Sequence, residues 1–196
     1  MKLAVILGSI RHGRHTEKLA KWVVKEAQKQ PDIEVELLDL KDYVLPFFEE
    51  SASPRFNPVR QPSPQAKKWL DKLQENDAYI IVTPEYNHSI PGVLKNALDY
   101  PDWQVSKKPF AIVSHGSTGG ARAAGHLKQI ISEIRGVVIS SNVALTMRVS
   151  EIFDENGTLA EEIDTQDYGP KFSLHNSLDE LKWYSDALVT ARSQPQ

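Results

Sequence analysis

Leu3-Ala4-Val5-Ile6-Leu7, running into Gly8-Ser9-Ile10-Arg11-His12-Gly13-Arg14-His15-Thr16, is the stretch on which the fold turns. Five apolar residues ending at a glycine read as a strand buried on both faces. The polar loop then enters Thr16 to Lys29, where Leu19, Ala20, Val23, Val24 and Ala27 recur at the spacing of an amphipathic helix, with Thr16 placed as its N-cap. The same alternation continues along the chain. Apolar runs at Ala78 to Val82, Phe110 to Val113 and Val137 to Ile139, with the alternating Ile33 to Leu37, predict four more strands. Gln65 to Gln74, Gly92 to Asp99, Ala121 to Ile134 and Leu174 to Ala191 predict helices between and after them. Strand and helix in succession imply an α/β domain with a parallel sheet, doubly wound because crossovers are right-handed.

A length of 196 residues fits one domain, 1–196, large enough to bury a core. Hydrophobic residues at 40% and charged residues at 25% exclude a disordered or membrane-spanning chain. Cysteine is absent, which removes disulfides, thiolate nucleophiles and CxxC redox pairs, so any redox chemistry must be borrowed from a cofactor or metal. A net charge of −3 argues against a nucleic-acid partner, although Arg11, His12, Arg14 and His15 form a local basic knot. The amino-terminal run is too short for a signal peptide or a span, so a cytoplasmic protein with no membrane partner is expected. Five of the twelve prolines fall between Pro46 and Pro64, an extended surface excursion, and Glu151 to Ser173 is irregular, with Asn156-Gly157 marking a turn.

Six of the ten glycines lie in loops after the first, third and fourth predicted strands. In open α/β sheets ligands bind beyond the carboxyl ends of the strands, so three loops point at one ligand. The first loop has the makings of a phosphate cradle: helix N-terminal N–H groups, hydroxyls from Ser9 and Thr16, and guanidinium forks from Arg11 and Arg14. It matches neither GxxxxGK[ST] nor GxGxxG. His12 and His15 lack an acidic or cysteine partner, so no metal site is expected. In the second loop, Pro84 and Pro91 stiffen a rim that carries Tyr86 as a stacking face and Asn87 as a paired donor and acceptor. The alternative for Tyr86 is a half-buried aromatic covering the sheet end, and for Glu85 a helix-cap or salt-bridge carboxylate. The third loop, Ser114-His115-Gly116-Ser117-Thr118-Gly119-Gly120, is not a G-x-S-x-G elbow, and His115 reads as an acid/base or as a structural histidine.

Together these loops resemble the flavodoxin-like NADPH-dependent FMN reductase family, whose members include quinone, azo-dye and chromate reductases. The resemblance runs from residue 1 to about 145 and rests on Gly8-Ser9-Ile10-Arg11, Pro84-Glu85-Tyr86-Asn87, Ser89-Ile90-Pro91-Gly92, Leu94 to Asp99 and Ser114 to Arg122. It implies a five-stranded sheet of order 2-1-3-4-5 with helices on both faces. It implies FMN as cofactor and NADPH or NADH as hydride donor, with two electrons passed to a small-molecule electron acceptor such as a quinone, azo compound, metal oxyanion or free flavin. Carried over by position, Ser9, Arg11 and Thr16, with Arg14, would hold the FMN phosphate. Pro84, Glu85, Tyr86 and Asn87 would line the isoalloxazine, and Ser114, Gly116 and Ser117 would close its other edge. No side chain is implied as a catalytic group. Many relatives have a hydroxyl residue where this chain has Gly13-Arg14. A homodimer or dimer of dimers is implied, with Trp22, Trp69, Trp103 and Trp183 as core or interface residues. A flavodoxin-type electron carrier and a flavin-less regulatory module are the alternatives. For a 2′-phosphate on the donor, Arg11, Arg14, Arg122 and Lys95 are the candidate clamps.

Overall fold

In the computed structural model, which describes residues 1–194, strand β1 (Lys2–Leu7) lies inside the sheet. It pairs in parallel with β2 (Glu34–Asp39) on one side and β3 (Ala78–Pro84) on the other. Strand β4 (Pro109–His115) follows β3, β5 (Val137–Val138) follows β4, and the path β2-β1-β3-β4-β5 matches the expected order. Leu3 to Leu7 are all fully buried, because helices cover both faces. This is why β1 reads as an unbroken apolar run instead of an alternating one.

Successive β1 side chains divide between two cores. Leu3, Val5 and Leu7 meet α1 (Thr16–Gln28) through Leu19 and Val23, and the carboxyl-terminal helix, Pro170–Ser193, through Leu174 and Leu178. Ala4 and Ile6 face α2 (Pro64–Glu75), α3 (Gly92–Asp99) and α4 (Ala121–Glu133) through Trp69, Leu94 and Leu127. Trp22 and Trp69 are core residues, whereas Trp103 and Trp183 are exposed.

The fifth position of the sheet differs from the single strand expected at Val137 to Ile139. It is filled by two short strands, β5 (Val137–Val138) and β6 (Val143–Leu145), both paired with β4. Between them the Asn142 amide replaces a strand partner, its Oδ1 accepting from Ile112 N at 2.8 Å. Glu180 of the last helix secures the interruption by accepting from Ser140 N, Ser140 Oγ and Ser141 N. Burial alone would raise the Glu180 pKa, but the hydrogen bonds from Ser141 and Ser140 hold it at about 2.

Segment 149–169 has more order than its sequence suggests. Two single-turn helices, α5 (Val149–Ile152) and α6 (Glu161–Asp164), flank a Phe153–Leu159 bridge. The Asn156-Gly157 turn presses against α1. Gly157 has φ +76°, and a Cβ there would lie 2.5 Å from the Lys18 carbonyl oxygen, so only glycine fits. The last helix, α7 (Pro170–Ser193), starts four residues before Leu174, with proline in its first turn, where a missing N–H is harmless. No helix among the described residues is long and apolar enough to cross a membrane.

Candidate functional site

The loops after β1, β3 and β4 converge at the carboxyl edge of the sheet. In the first, Ser9 is fully buried and its hydroxyl lies 2.9 Å from the Tyr86 hydroxyl of the second loop. The same Ser9 oxygen accepts from Arg11 N at 3.3 Å. Arg11 is exposed, has no carboxylate partner among the described residues, and sets its guanidinium carbon 5.8 Å from the Tyr86 ring centroid. The first loop and the Tyr86 ring are thus joined directly.

Helix α1 begins at Thr16, and the residue before it, His15, makes no side-chain cap. Thr16 is therefore not the N-cap expected from the sequence. Its Oγ1 instead shares a 2.9 Å hydrogen bond with Nε2 of His115, at the end of β4. Among the described residues, the backbone N–H groups of His12, Gly13, His15 and Thr16 have no protein acceptor. Uncapped amides at the positive end of a 13-residue helix, beside an unpaired arginine, suit a bound phosphate. His115 is half-buried. Burial, followed by the neighbouring charge of His15, lowers its pKa to about 4, so the ring is neutral near pH 7. A neutral ring bonded to Thr16 fits the structural reading of His115 better than a proton donor.

Arg14 sits elsewhere than its grouping with the phosphate contacts implies. Its five hydrogen bonds all go to protein oxygens: the Ser9 carbonyl, both carboxylate oxygens of Asp39, and Glu17 twice. The side chain is 3% exposed and has no donor left to offer. Asp39, which the sequence reading did not single out, lies at the end of β2.

In the second loop, Tyr86 and Ser89 exchange both backbone hydrogen bonds, at 2.9 and 3.0 Å, around a two-residue tip. Asn87 and His88 both have positive φ, 49° and 66°, as in a type I′ turn. Their N–H groups have no protein acceptor among the described residues and rim the site. Pro84 is buried at the end of β3. Glu85 points its carboxylate away from the role of lining a planar ring. It caps α4, accepting from Arg122 N at 2.9 Å and Ala123 N at 3.2 Å, with the Arg122 guanidinium at 3.4 Å. Burial opposes the charge, but those two N–H groups and Arg122 hold the carboxyl below its usual range.

In the third loop, the buried Ser114 donates its hydroxyl to the Gly119 carbonyl at 2.7 Å and so shapes the turn. Gly120 has φ +71°, and a Cβ there would lie 2.8 Å from Ser114 Cβ and 3.0 Å from His115 N. Gly116 and Ser117 line a cleft of about 460 Å³ together with His15, His115 and the segment Thr146 to Ser150, which was not anticipated. Among the described residues, no acidic side chain lines this cleft. Of the remaining candidate clamps, Lys95 is paired with Asp99 and Arg122 with Glu85, which leaves Arg11 unpaired.

This is a flavodoxin-like α/β fold with its candidate site where such sheets hold ligands. The family model for NADPH-dependent FMN reductases matches residues 1–150. The chain is 33% identical over 146 residues to an NAD(P)H-dependent FMN reductase of Schizosaccharomyces pombe, covering 74% of this chain and 73% of the relative. It is 30% identical over 148 residues to a quinone reductase of Escherichia coli K12, covering 71% and 74%. The flavoenzyme NAD(P)H:(acceptor) oxidoreductase FerB of Paracoccus denitrificans superposes with a TM-score of 0.75 at 26% identity, covering 93% of this chain and 98% of that one. The chain belongs to the NADPH-dependent FMN reductase family, and is an oxidoreductase that uses FMN and NAD(P)H.

Proposed function

We propose that this enzyme takes hydride from NAD(P)H and delivers two electrons to small quinones, with the three loops as its FMN site. The observation that carries the reading is the junction of Arg11, Ser9 and Tyr86: unpaired amides and a free guanidinium at one end, an aromatic face at the other. Ser9, Arg11, Thr16 and the free amides of His12, Gly13, His15 and Thr16 hold the phosphate. Tyr86 and the tip amides of Asn87 and His88 flank the ring, and Gly116 and Ser117 border its other edge. Pro84, Glu85 and Ser114 act behind them, holding the loops in shape. Bound FMN supplies the chemistry, accepting hydride and passing on an electron pair. The side chains position, shield and stabilise, and none is required as nucleophile or metal ligand. The cleft, free of carboxylates, does not repel the negative charge that builds on a quinone as it is reduced. Quinone reductases among the relatives support this acceptor class, and an azoreductase at the same 30% identity supports azo compounds as well.

The protein works as a homodimer in this reading. Val44, Phe47, Phe56 and Val59 are each more than three-quarters exposed on the excursion between β2 and α2, an apolar group that a second copy would cover. A cytoplasmic location, where NAD(P)H is regenerated, fits the same reading.

Titration of flavin-free protein with FMN and with riboflavin tests the site. One FMN per chain, bound well ahead of riboflavin, is the expected result. Equal affinity for the two flavins would contradict a phosphate site in loop 8–16.

A further inference from the structure

Arg14 occupies the first loop yet turns all its donors inward, and the reason lies at the end of the neighbouring strand. Asp39 closes β2, directly beside Leu7 of β1 in the sheet register. Its Oδ1 also accepts from Lys41 N at 2.9 Å, so the carboxylate is fixed from two sides. The Arg14 guanidinium grips both Asp39 oxygens and donates to the Ser9 carbonyl. A forked guanidinium–carboxylate pair is planar and directional, so it sets an orientation that a lysine could not. With its carbonyl held on this side, Ser9 has its hydroxyl free for Tyr86 and for Arg11 N. Glu17 completes the cluster and is itself paired with Lys21 at 3.0 Å. Two cations therefore face two carboxylates and their formal charges cancel. What the cluster gives the loop is shape, not positive charge.

We propose that Arg14 and Asp39 are positioning residues for the phosphate end of the cofactor site: their ion pair bolts loop 8–16 to β2 and presents its free amides, while Arg14 itself does not touch the phosphate. The proposal rests on the reading of loop 8–16 as the FMN phosphate site. A direct contact makes the opposite prediction for Asp39. If Arg14 bound the phosphate, removing its carboxylate partner would release the guanidinium and strengthen FMN binding.

The test is a fluorescence-quenching titration with FMN and with riboflavin of the wild type, Arg14→Gln, Asp39→Asn and Glu17→Gln. Asp39→Asn is expected to reduce the preference for FMN over riboflavin about tenfold, with riboflavin affinity unchanged, and Arg14→Gln to match it. Glu17 is 38% exposed, a position whose change the fold tolerates, and Glu17→Gln is expected to lose about two- to threefold. It carries the test if Asp39→Asn does not fold. Unchanged or increased preference for FMN in Asp39→Asn or Glu17→Gln overturns the proposal. So does a parallel loss of both flavins, which a purely structural role would give. A wild type without preference for FMN instead refutes loop 8–16 as a phosphate site, and the proposal with it.

Discussion

Between pH 7 and 5, acidification should weaken this fold chiefly through His115. Its ring takes a proton near 6.5 when unperturbed, but burial and the charge of His15 bring that to about 4 in the folded chain. Between those values the unfolded state binds more protons than the folded one, so stability is complete above about pH 6.5 and drains away as pH falls toward 4. At about 1.4 kcal/mol per pH decade the whole gap is worth about 3.5 kcal/mol, and roughly 2 kcal/mol of it falls between pH 7 and 5. Urea unfolding at pH 7, 6 and 5, on the wild type and on His115→Gln, isolates this contribution. The other histidines are common to both chains and cancel, and most carboxylates stay ionised at pH 5. The wild type should lose about 2 kcal/mol more than the variant over that range. Equal losses in the two proteins would refute a half-buried, neutral His115 bonded to Thr16.

Three substitutions examine the loops more locally. Arg11→Ala removes the unpaired guanidinium and should weaken FMN binding by roughly 1.5 to 3 kcal/mol while leaving riboflavin binding unchanged, as read by flavin titration. Tyr86→Phe keeps the ring but breaks the 2.9 Å link to Ser9, and FMN affinity should drop about fivefold; an unchanged dissociation constant would place that link outside the site. Gly120→Ala forces a side chain onto Ser114 and His115 at positive φ and should cost about 2 kcal/mol or more in urea unfolding. A loss below about 0.5 kcal/mol would mean that the third loop relaxes freely.

Strands buried on both faces announce themselves as apolar runs, which made β1, β3 and β4 and the loops behind them legible from residue order. Where a side chain substitutes for a strand, that signal disappears. Val137 to Ile139 looks like one strand because nothing local shows that Asn142 will complete the β4 ladder or that Glu180, some forty residues on, will hold Ser140 and Ser141. Residue type located the candidate site, but direction decided the roles. Thr16 has the right hydroxyl for a cap and spends it on His115, and Arg14 has the right charge for a phosphate and spends it on Asp39. Both partners are distant in sequence, 99 and 25 residues away, and such pairings leave no trace in spacing. Glu85 was ambiguous between ring contact and helix cap because α4 starts far along the chain. Only the folded arrangement brings Arg122 N and Ala123 N to its carboxylate.

In the proposed function, these loops hold FMN so that NAD(P)H can reduce it and a quinone can reoxidise it. Anaerobic addition of NADPH, and separately NADH, to the FMN-loaded protein tests it in a single spectrophotometric experiment. The oxidised-flavin absorbance should bleach with one equivalent of pyridine nucleotide and return when a benzoquinone is added. A protein that binds FMN yet stays yellow with either nucleotide would contradict it, and would point to an electron carrier instead.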